Sequence, residues 1–520
     1  MTELAPVLLA GLVLVPVVVA ALLALLRPAR PVAASAATAT ALGTVVAAVA
    51  LVASDRPWAV AGTGTEVDLP WVGLFGSRFH LALDGISAPL VLLTAVLTLL
   101  CCLYVTRSGD NGEPAELARP GAHPGLLSCL LLVEAGALGT FLARDLVVFF
   151  IAFETVLVPM WFLIDRWGDD SRRRDVHDPV GARTAAAARF VMYTVTGSAV
   201  MLLGIVLLAV RAGSTDLDVL AVAGPGLDAG SQATIALLLL VGLGVKVPVW
   251  PLHGWLPPAH SIAPTVGSVL LAGVLLKLGS YGMVRLVHGL VPAGLERWAP
   301  CLAALGIVGI VWGSLVCLAE RDLKRLVAFS SVAHMGFVVV GVASGTPQGV
   351  QGALFASVAH GVITGLLFFV VGMVKHRWHT ADLHDLGSGM RDRAPRLGWA
   401  LAIGAVAGLG LPGLAGFWGE VLAVIGAWEG AAWLGAAGAR WTAVLAAVGT
   451  ALAAAYLLRV LFLLWHGPAA TGAEPPRDLG RLEQAVVLPL VVATVALGVL
   501  PWLLLSLTGP AVRLLMGVDS

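Results

Sequence analysis

Fourteen apolar stretches, each about as long as a bilayer's hydrocarbon is thick, follow one another through this chain with only short polar connections between them. They lie near 5–26, 33–53, 84–106, 124–142, 145–165, 184–210, 232–253, 262–284, 299–318, 327–343, 350–374, 397–427, 441–465 and 485–508. A helix rises about 1.5 Å per residue, so roughly 20 residues cross about 30 Å of hydrocarbon. With 59% hydrophobic and 12% charged residues, the chain cannot clothe itself for water, because soluble domains carry about 25% charged residues. The expected fold class is an all-α polytopic membrane protein of about 14 transmembrane helices. No stretch has the alternation of a membrane barrel, and no connection is long enough for a separate soluble domain.

The first stretch is read as a membrane helix. It spans Ala5–Leu26, and the residues before it carry Glu3 but no basic group, unlike a secretory signal. Thirty-one Lys and Arg balance thirty-one Asp and Glu, which removes any basic field for binding nucleic acid. Cys101, Cys102, Cys129, Cys301 and Cys317 lie in apolar runs without metal-ligand spacing and are read as core thiols; no metal site is expected.

Charge placement predicts orientation. With the amino terminus outside, nineteen basic residues fall on odd-numbered connections and eight on even-numbered ones, so the odd connections are expected to be cytoplasmic and both termini outside. The remaining four, Arg189, Lys246, Lys277 and Arg459, lie within spans, with Glu134, Glu154, His334, His360 and Glu420. One Lys or Asp at mid-bilayer costs about 2.5–3.5 kcal/mol on the insertion scale, so groups placed there are expected to be paired, hydrated and functional. Arginine keeps its proton, whereas lysine gives one up when desolvated, and two of only four lysines are intramembrane. That choice suits proton exchange. Bland readings stand beside it: Arg189 and Arg459 as snorkelling cations, Glu134 and Glu154 as neutral packing acids, and the histidines as interhelical hydrogen-bonding groups.

Prolines break two of the charged spans. Val245-Lys246-Val247-Pro248-Val249-Trp250-Pro251 loses backbone donors just after the lysine, and Gly410-Leu411-Pro412-Gly413 interrupts the helix before Glu420. Broken spans recur at midplane ion sites, where water or protein satisfies the freed carbonyls. The two charged breaks are 174 residues apart, and Glu154 and His334 are 180 apart. This spacing predicts two inverted five-helix repeats inside a single membrane domain covering 1–520. A three-helix segment, 1–123, precedes repeats at 124–289 and 299–465, and a last helix covers 485–508.

Long motifs then carry a family resemblance. Phe153-Glu154-Thr155-Val156-Leu157-Val158-Pro159-Met160, Val245-Lys246-Val247-Pro248, Pro251-Leu252-His253-Gly254-Trp255-Leu256-Pro257, Ala259-His260-Ser261, Leu275-Leu276-Lys277 and Ser331-Val332-Ala333-His334-Met335-Gly336 occur in this order. The chain resembles, over nearly its whole length, the antiporter-like subunits of respiratory complex I and of multisubunit sodium/proton antiporters. It is most similar to the M-type branch, because Glu420 stands where other branches typically carry lysine. Ala152, where a bulky aromatic is common, and Leu414-Ala415, where small hydroxyl residues are common, depart from the pattern.

The resemblance implies a proton-translocating subunit of NADH:quinone oxidoreductase in the bacterial cytoplasmic membrane, packed against other membrane-arm subunits, including further antiporter-like ones. It implies a relay through Glu154, Lys246, Lys277, His334, His360 and Glu420, with Glu134 secondary and Glu154 paired to Lys246. An approaching carboxylate favours the charged lysine; its withdrawal leaves desolvation to expel the proton. His253 and His260 are left between structural hydrogen bonding and cytoplasmic proton entry. With no dinucleotide fingerprint, flavin site or iron–sulfur cysteine pattern in this chain, FMN, iron–sulfur clusters and quinone are expected in partner subunits. The alternative is a subunit of a multisubunit sodium/proton antiporter.

Overall fold

A computed structural model describes residues 4–54, 65–73, 76–106, 123–168, 179–467 and 477–518. The first apolar stretches fold as α1 (Ala5–Leu26), α2 (Arg30–Ala53), α3 (Ala88–Thr106) and α4 (Pro124–Leu142). The fifth is divided into α5 (Leu146–Thr155) and α6 (Leu157–Trp167), followed by α7 (Pro179–Ala212), the short α8 (Leu217–Ala223) and α9 (Ala229–Lys246). Then come α10 (Leu256–Ile262), α11 (Thr265–Leu270) and α12 (Leu276–Gly282), with π-helical turns Leu271–Leu275 and Met283–His288 on either side of α12. Next are α13 (Pro292–Ala319), α14 (Leu323–Ala343), α15 (Pro347–Trp378), α16 (Leu383–Leu386), α17 (Met390–Arg393), α18 (Pro395–Gly408) and α19 (Ala415–Glu429). The chain continues through α20 (Ala431–Leu434), α21 (Ala436–Leu464), α22 (Arg481–Val499) and α23 (Trp502–Leu515).

Thirteen of the expected spans correspond to helices, or helices in series, long and apolar enough to cross a bilayer. The fourteenth, 397–427, is the pair α18 and α19 around a break at 409–414. Gly410 (φ +78) and Gly413 (φ +92) adopt the left-handed backbone there, which glycine enters without steric cost. The other expected break follows α9. Val249 N–H reaches back to Gly244 O at 2.9 Å, and the Trp255 indole N–H donates to Val245 O at 2.9 Å, so the carbonyls released by the prolines find partners inside the protein.

Two irregularities were not expected. The fifth span is interrupted at Val156, one turn before Pro159, whose ring lacks the N–H that would bond the carbonyl of Thr155. The eighth carries the two π-helical turns, a local widening often found at functional sites. A hairpin was also missed: β1 (Glu66–Val72) pairs antiparallel with β2 (Ser77–Ala82). Its five-residue-scale alternation, Val67, Leu69, Trp71 and then Phe79, Leu81, is short beside the hydropathy of the helices around it.

Burial grades across the bundle. The span Thr265–His288 is buried along its whole length, and α14 and α15 nearly so, whereas α1, α2 and α22 leave most of their surface outward. The buried helices carry the titratable groups. Of the five cysteines, four are buried thiols as expected, but Cys301 is exposed on the outward face of α13. Arg189 is exposed on α7, and the Arg459 guanidinium donates to Cys317 O and Glu320 O, closing the carboxyl end of α13.

Two matching backbone clasps tie the connections together. Leu146 N–H bonds Thr215 O and Leu217 N–H bonds Arg144 O; likewise Leu323 N–H bonds Ala381 O and Leu383 N–H bonds Arg321 O. Asp145 and Asp322 each cap the helix that follows, inside the repeated sequence Arg-Asp-Leu. Five spans separate the two clasps.

Candidate functional site

At the centre of the bundle, Lys277 on α12 is fully buried, and its Nζ lies 2.5 Å from Ala272 O and 2.6 Å from His360 Nδ1. The π-helical turn sets this up, because Ala272 lies within it and its carbonyl faces the ammonium five residues on. Glycines permit the helix approach. A Cβ on Gly361, next to His360, would meet Gly273 O at 2.9 Å, and Gly273 lies four residues before Lys277.

From His360 the path turns to His334 on α14, with ring centroids 5.9 Å apart. His334 Nδ1 is 3.3 Å from Glu420 Oε1, an ion-pair separation; Oε1 and His360 Nε2 are buried without a protein hydrogen-bond partner. The other side of each group is held. Thr450 Oγ1 donates to Glu420 Oε2 at 2.9 Å, and the Tyr456 hydroxyl lies 3.3 Å from His334 Nε2. Glu420 reaches this spot because α19 crosses α15 at glycine contacts. A Cβ on Gly419 would fall 2.6 Å from Ala356 Cα, and one on Gly426 would fall 2.3 Å from Gly349 Cα.

His334, His360 and Glu420 line one cavity with Ser330, Thr364 and Gly416. Its volume of about 30 Å³ accommodates a water, which needs roughly 10–15 Å³ on this measure. The space adjoins His360 and Glu420, whose Nε2 and Oε1 are the unpartnered atoms that a water would serve.

Glu154 and Lys246 form a second group. Lys246 closes α9, is buried, and holds its Nζ 4.6 Å from the centroid of the Phe153 ring, with no hydrogen-bond partner for the ammonium. Glu154, the next residue after Phe153, is partly exposed and accepts from Ser198 Oγ at 2.5 Å. The expected Glu154–Lys246 pair is therefore not closed into a direct ion pair; the ammonium lies over the Phe153 ring instead. Glu134 stands apart from both groups. It is buried on α4 and accepts from Thr44 Oγ1 of α2 at 2.7 Å, leaving Oε2 without a partner.

Ser198, Thr450 and Tyr456 were missed in the sequence. A signal existed for Tyr456, one of only four tyrosines in the chain, but lone hydroxyls on apolar helices are too common to single out the serine or threonine. The departure at Leu414 has a visible consequence: as the residue preceding α19 it offers no side-chain cap.

Near the opposite end of the Lys277 span lies a cluster not foreseen. Asp84 accepts from Arg285 and sits 3.6 Å from Arg144, while its Oδ1 accepts from Ile86 N and Ser87 N. Burial works against the charge, but the two guanidiniums outweigh it and hold Asp84 down to about 2. His80 of β2 lies together with Asp216 and Asp218 beside it.

Comparison with known proteins gives these positions their context. Residues 143–448 match the transmembrane family described as NADH:quinone oxidoreductase/Mrp antiporter. NADH-quinone oxidoreductase subunit M of Rhodobacter capsulatus is 35% identical over 457 residues, covering 86% of this chain and 83% of that protein. NAD(P)H-quinone oxidoreductase chain 4 1 of Synechococcus sp. (strain JA-3-3Ab) is 37% identical over 435 residues, covering 83% and 78%. Among solved structures, a chain of respiratory complex I from Thermus thermophilus with bound NADH superposes over the full length of both chains with a TM-score of 0.83 and 28% identity. A chain of the Mrp complex from Dietzia sp. DQ12-45-1b superposes with a TM-score of 0.84 at 24% identity, covering 99% and 98%, a likeness of fold. The chain belongs to the NADH:quinone oxidoreductase/Mrp antiporter family of membrane subunits.

Proposed function

We propose that this chain is the proton-translocating, M-type membrane subunit of an NADH:quinone oxidoreductase, moving protons along Lys277, His360, His334 and Glu420. The observation that carries the relay is a run of four titratable side chains: Lys277 touches His360 directly, and His360, His334 and Glu420 line one cavity with room for a water. Buried ionisable groups in a membrane span are costly unless paired, and these are arranged in series rather than as isolated pairs.

The chemistry follows from hydrogen-bonding roles. When Lys277 is charged, Nζ donates to a neutral His360 at Nδ1; after transfer the imidazolium donates to the neutral amine along the same 2.6 Å line. The proton leaves His360 from Nε2 through water, enters His334 at Nε2 beside the Tyr456 hydroxyl and leaves from Nδ1 to Glu420 Oε1, while Thr450 holds the other carboxylate oxygen. Histidine suits the middle of the path because its ordinary pKa lies near neutrality.

Lys246 is assigned the switch and Glu154 its movable partner. With the carboxylate bound by Ser198 and the ammonium over Phe153, the pair is open; swinging Glu154 toward Nζ would favour the charged lysine. Glu134 is retained as a secondary group. The matching Arg-Asp-Leu clasps, five spans apart and hence on opposite faces, support inverted repeats at 124–289 and 299–465 within one domain, framed by 1–123 and 485–508.

We place both termini outside a bacterial cytoplasmic membrane, following the basic connections. Membrane-arm subunits, including other antiporter-like ones, are the proposed neighbours, and FMN, iron–sulfur clusters and quinone reside in partners. The partly exposed Glu154 supports a protein neighbour on the α5 face, since lipid offers a carboxylate nothing. The sodium/proton antiporter reading draws support from the family, which spans both kinds of subunit, and from likeness of fold, whereas the relatives at 35–37% identity are quinone oxidoreductase subunits. Purifying the tagged chain from its native membrane separates the two: flavin and iron–sulfur proteins should accompany it, whereas recovery with small membrane subunits alone would overturn the oxidoreductase assignment.

A further inference from the structure

Tyr456, on α21, is completely buried, and its hydroxyl lies 3.3 Å from His334 Nε2. Phenylalanine fills almost the same volume, so packing alone does not account for a phenol at this position. Six residues earlier on the same helix, Thr450 Oγ1 donates to Glu420 Oε2 at 2.9 Å. The His334–Glu420 pair is thus held end to end between two hydroxyls of α21: Nε2 and Oε2 meet the hydroxyls, while Nδ1 and Oε1 face each other at 3.3 Å. What each atom is able to do fixes the donor roles. An ionised carboxylate only accepts, so the ring nitrogen beside Oε1 carries the hydrogen; a neutral imidazole then leaves Nε2 bare, and the phenol donates to it. Nε2 is also approachable. Gly408 lines the cavity with His334, and a Cβ on it would come 3.9 Å from Nε2, so the missing side chain leaves room beside this atom.

We infer that Tyr456 is a positioning residue that selects the tautomer of His334, holding the neutral ring with its hydrogen on Nδ1, toward Glu420, and its lone pair on Nε2, toward the incoming proton. The inference rests on the relay reading above and adds what gives the His334 step its direction. In the opposite tautomer Nε2 already carries a hydrogen and Nδ1 sets a lone pair against the carboxylate, so the ring can neither receive nor pass on a proton. The phenol disfavours that form because its O–H would meet an N–H. When a proton arrives at Nε2 the ring becomes an imidazolium and the phenol turns, its oxygen accepting from the new N–H. Its hydrogen then needs another acceptor. Ser330, on the cavity wall, is hydrogen-bonded to Tyr456 and donates its own hydrogen to Val327 O at 2.8 Å, which leaves its oxygen able to accept. Nδ1 next releases its proton to Glu420 Oε1, and the ring is left with its hydrogen on Nε2. It returns to the receiving form by losing that hydrogen to cavity water and regaining one at Nδ1, the step that the phenol favours while keeping its own proton throughout.

The test uses the assembled membrane complex carrying Tyr456→Phe, with His334→Gln as the reference and subunit content checked by blue-native gel. NADH-driven proton pumping is followed in sealed vesicles alongside quinone reduction. The His334 tautomer is read by solid-state nitrogen NMR of the histidine-labelled complex, its signals being those lost in His334→Gln. Tyr456→Phe should lower pumping by about three- to tenfold, the loss that one hydrogen bond accounts for, and should move the His334 signals from the Nδ1–H form toward the Nε2–H form. A merely structural role would slow pumping without moving those signals, and that result overturns the inference. Should Tyr456→Phe fail to assemble, a ring-fluorinated tyrosine in place of Tyr456, which keeps the shape and strengthens the O–H donor, decides by the same signals. Nε2 should then report a stronger hydrogen bond, and an unchanged signal sinks the inference. Parental pumping in Tyr456→Phe with loss in His334→Gln would remove the tautomer selection and leave the relay, whereas parental pumping in both would remove the relay reading itself.

Discussion

Two kinds of buried group occur among the charges of this chain, and the difference lies in what each side chain touches. Arg459 closes a helix end and Glu134 meets one threonine, but Lys277, His360, His334 and Glu420 each face another titratable group. Their identity was legible in the sequence because a charge in an apolar span stands out; that they meet was not, because contact depends on glycine-mediated crossings far apart in the chain. Glu420 and Thr450 test the distinction between carrying a proton and holding the carrier. Glu420→Gln preserves an oxygen for the Thr450 hydroxyl yet cannot exchange a proton, so pumping by the assembled complex should fall by about 10²-fold or more. Thr450→Val removes one hydrogen bond, worth about 0.5–1.5 kcal/mol, and should lower the rate about tenfold at most. Parallel proton-uptake measurements on the two variants check this; equal losses would place Glu420 among the merely structural groups.

The elements explain why the site holds its shape. Regular helices were legible from hydropathy, as were the breaks marked by Pro248, Pro251 and Pro412, since a missing N–H announces itself. The π-helical turns around α12 were not, because no residue type marks them and their registers are fixed by packing against α9 and α15. The hairpin escaped for a related reason: its strands hold few residues, and its anchoring is tertiary, through Asp145 accepting from Ser77 and Thr215 hydroxyls. The cluster beside it makes an acid-side prediction. Asp84 is held at about 2 against an ordinary value of 3.8, so its charge stabilises the fold fully above 3.8, and that contribution drains away as the pH falls from there through 2. Asp84→Asn strands two arginines, of which Arg285 is buried, and should cost about 3–5 kcal/mol. Thermal unfolding of the detergent-solubilised complex from pH 5 downward checks both parts. The variant should unfold at lower temperature and lose the part of the pH dependence that lies between those two values; an unchanged curve would show that the arginines do not act on Asp84.

At the scale of the whole molecule, lipid-facing helices such as α1, α2 and α22 surround a core in which α11, α12, α14 and α15 are almost wholly enclosed by protein. Enclosure makes a proton path possible, since a titratable chain open to acyl tails could be neither hydrated nor insulated. The two-group division of the site, Glu154 and Lys246 on one side and Lys277 through Glu420 on the other, follows from the fold: Lys246 ends α9 at the first break, while Glu420 follows the second. Sequence spacing indicated that duality but not the Phe153 ring over which the Lys246 ammonium lies. On the proposed reading the chain holds the path and its partners hold the redox energy, so the claim on which everything turns is that protons pass through Lys277. The direct measurement is NADH-driven proton uptake by sealed vesicles bearing the assembled complex with Lys277→Met, which fills the volume and removes the titratable nitrogen. Uptake should collapse while the complex remains intact; parental uptake at parental subunit content would contradict the account.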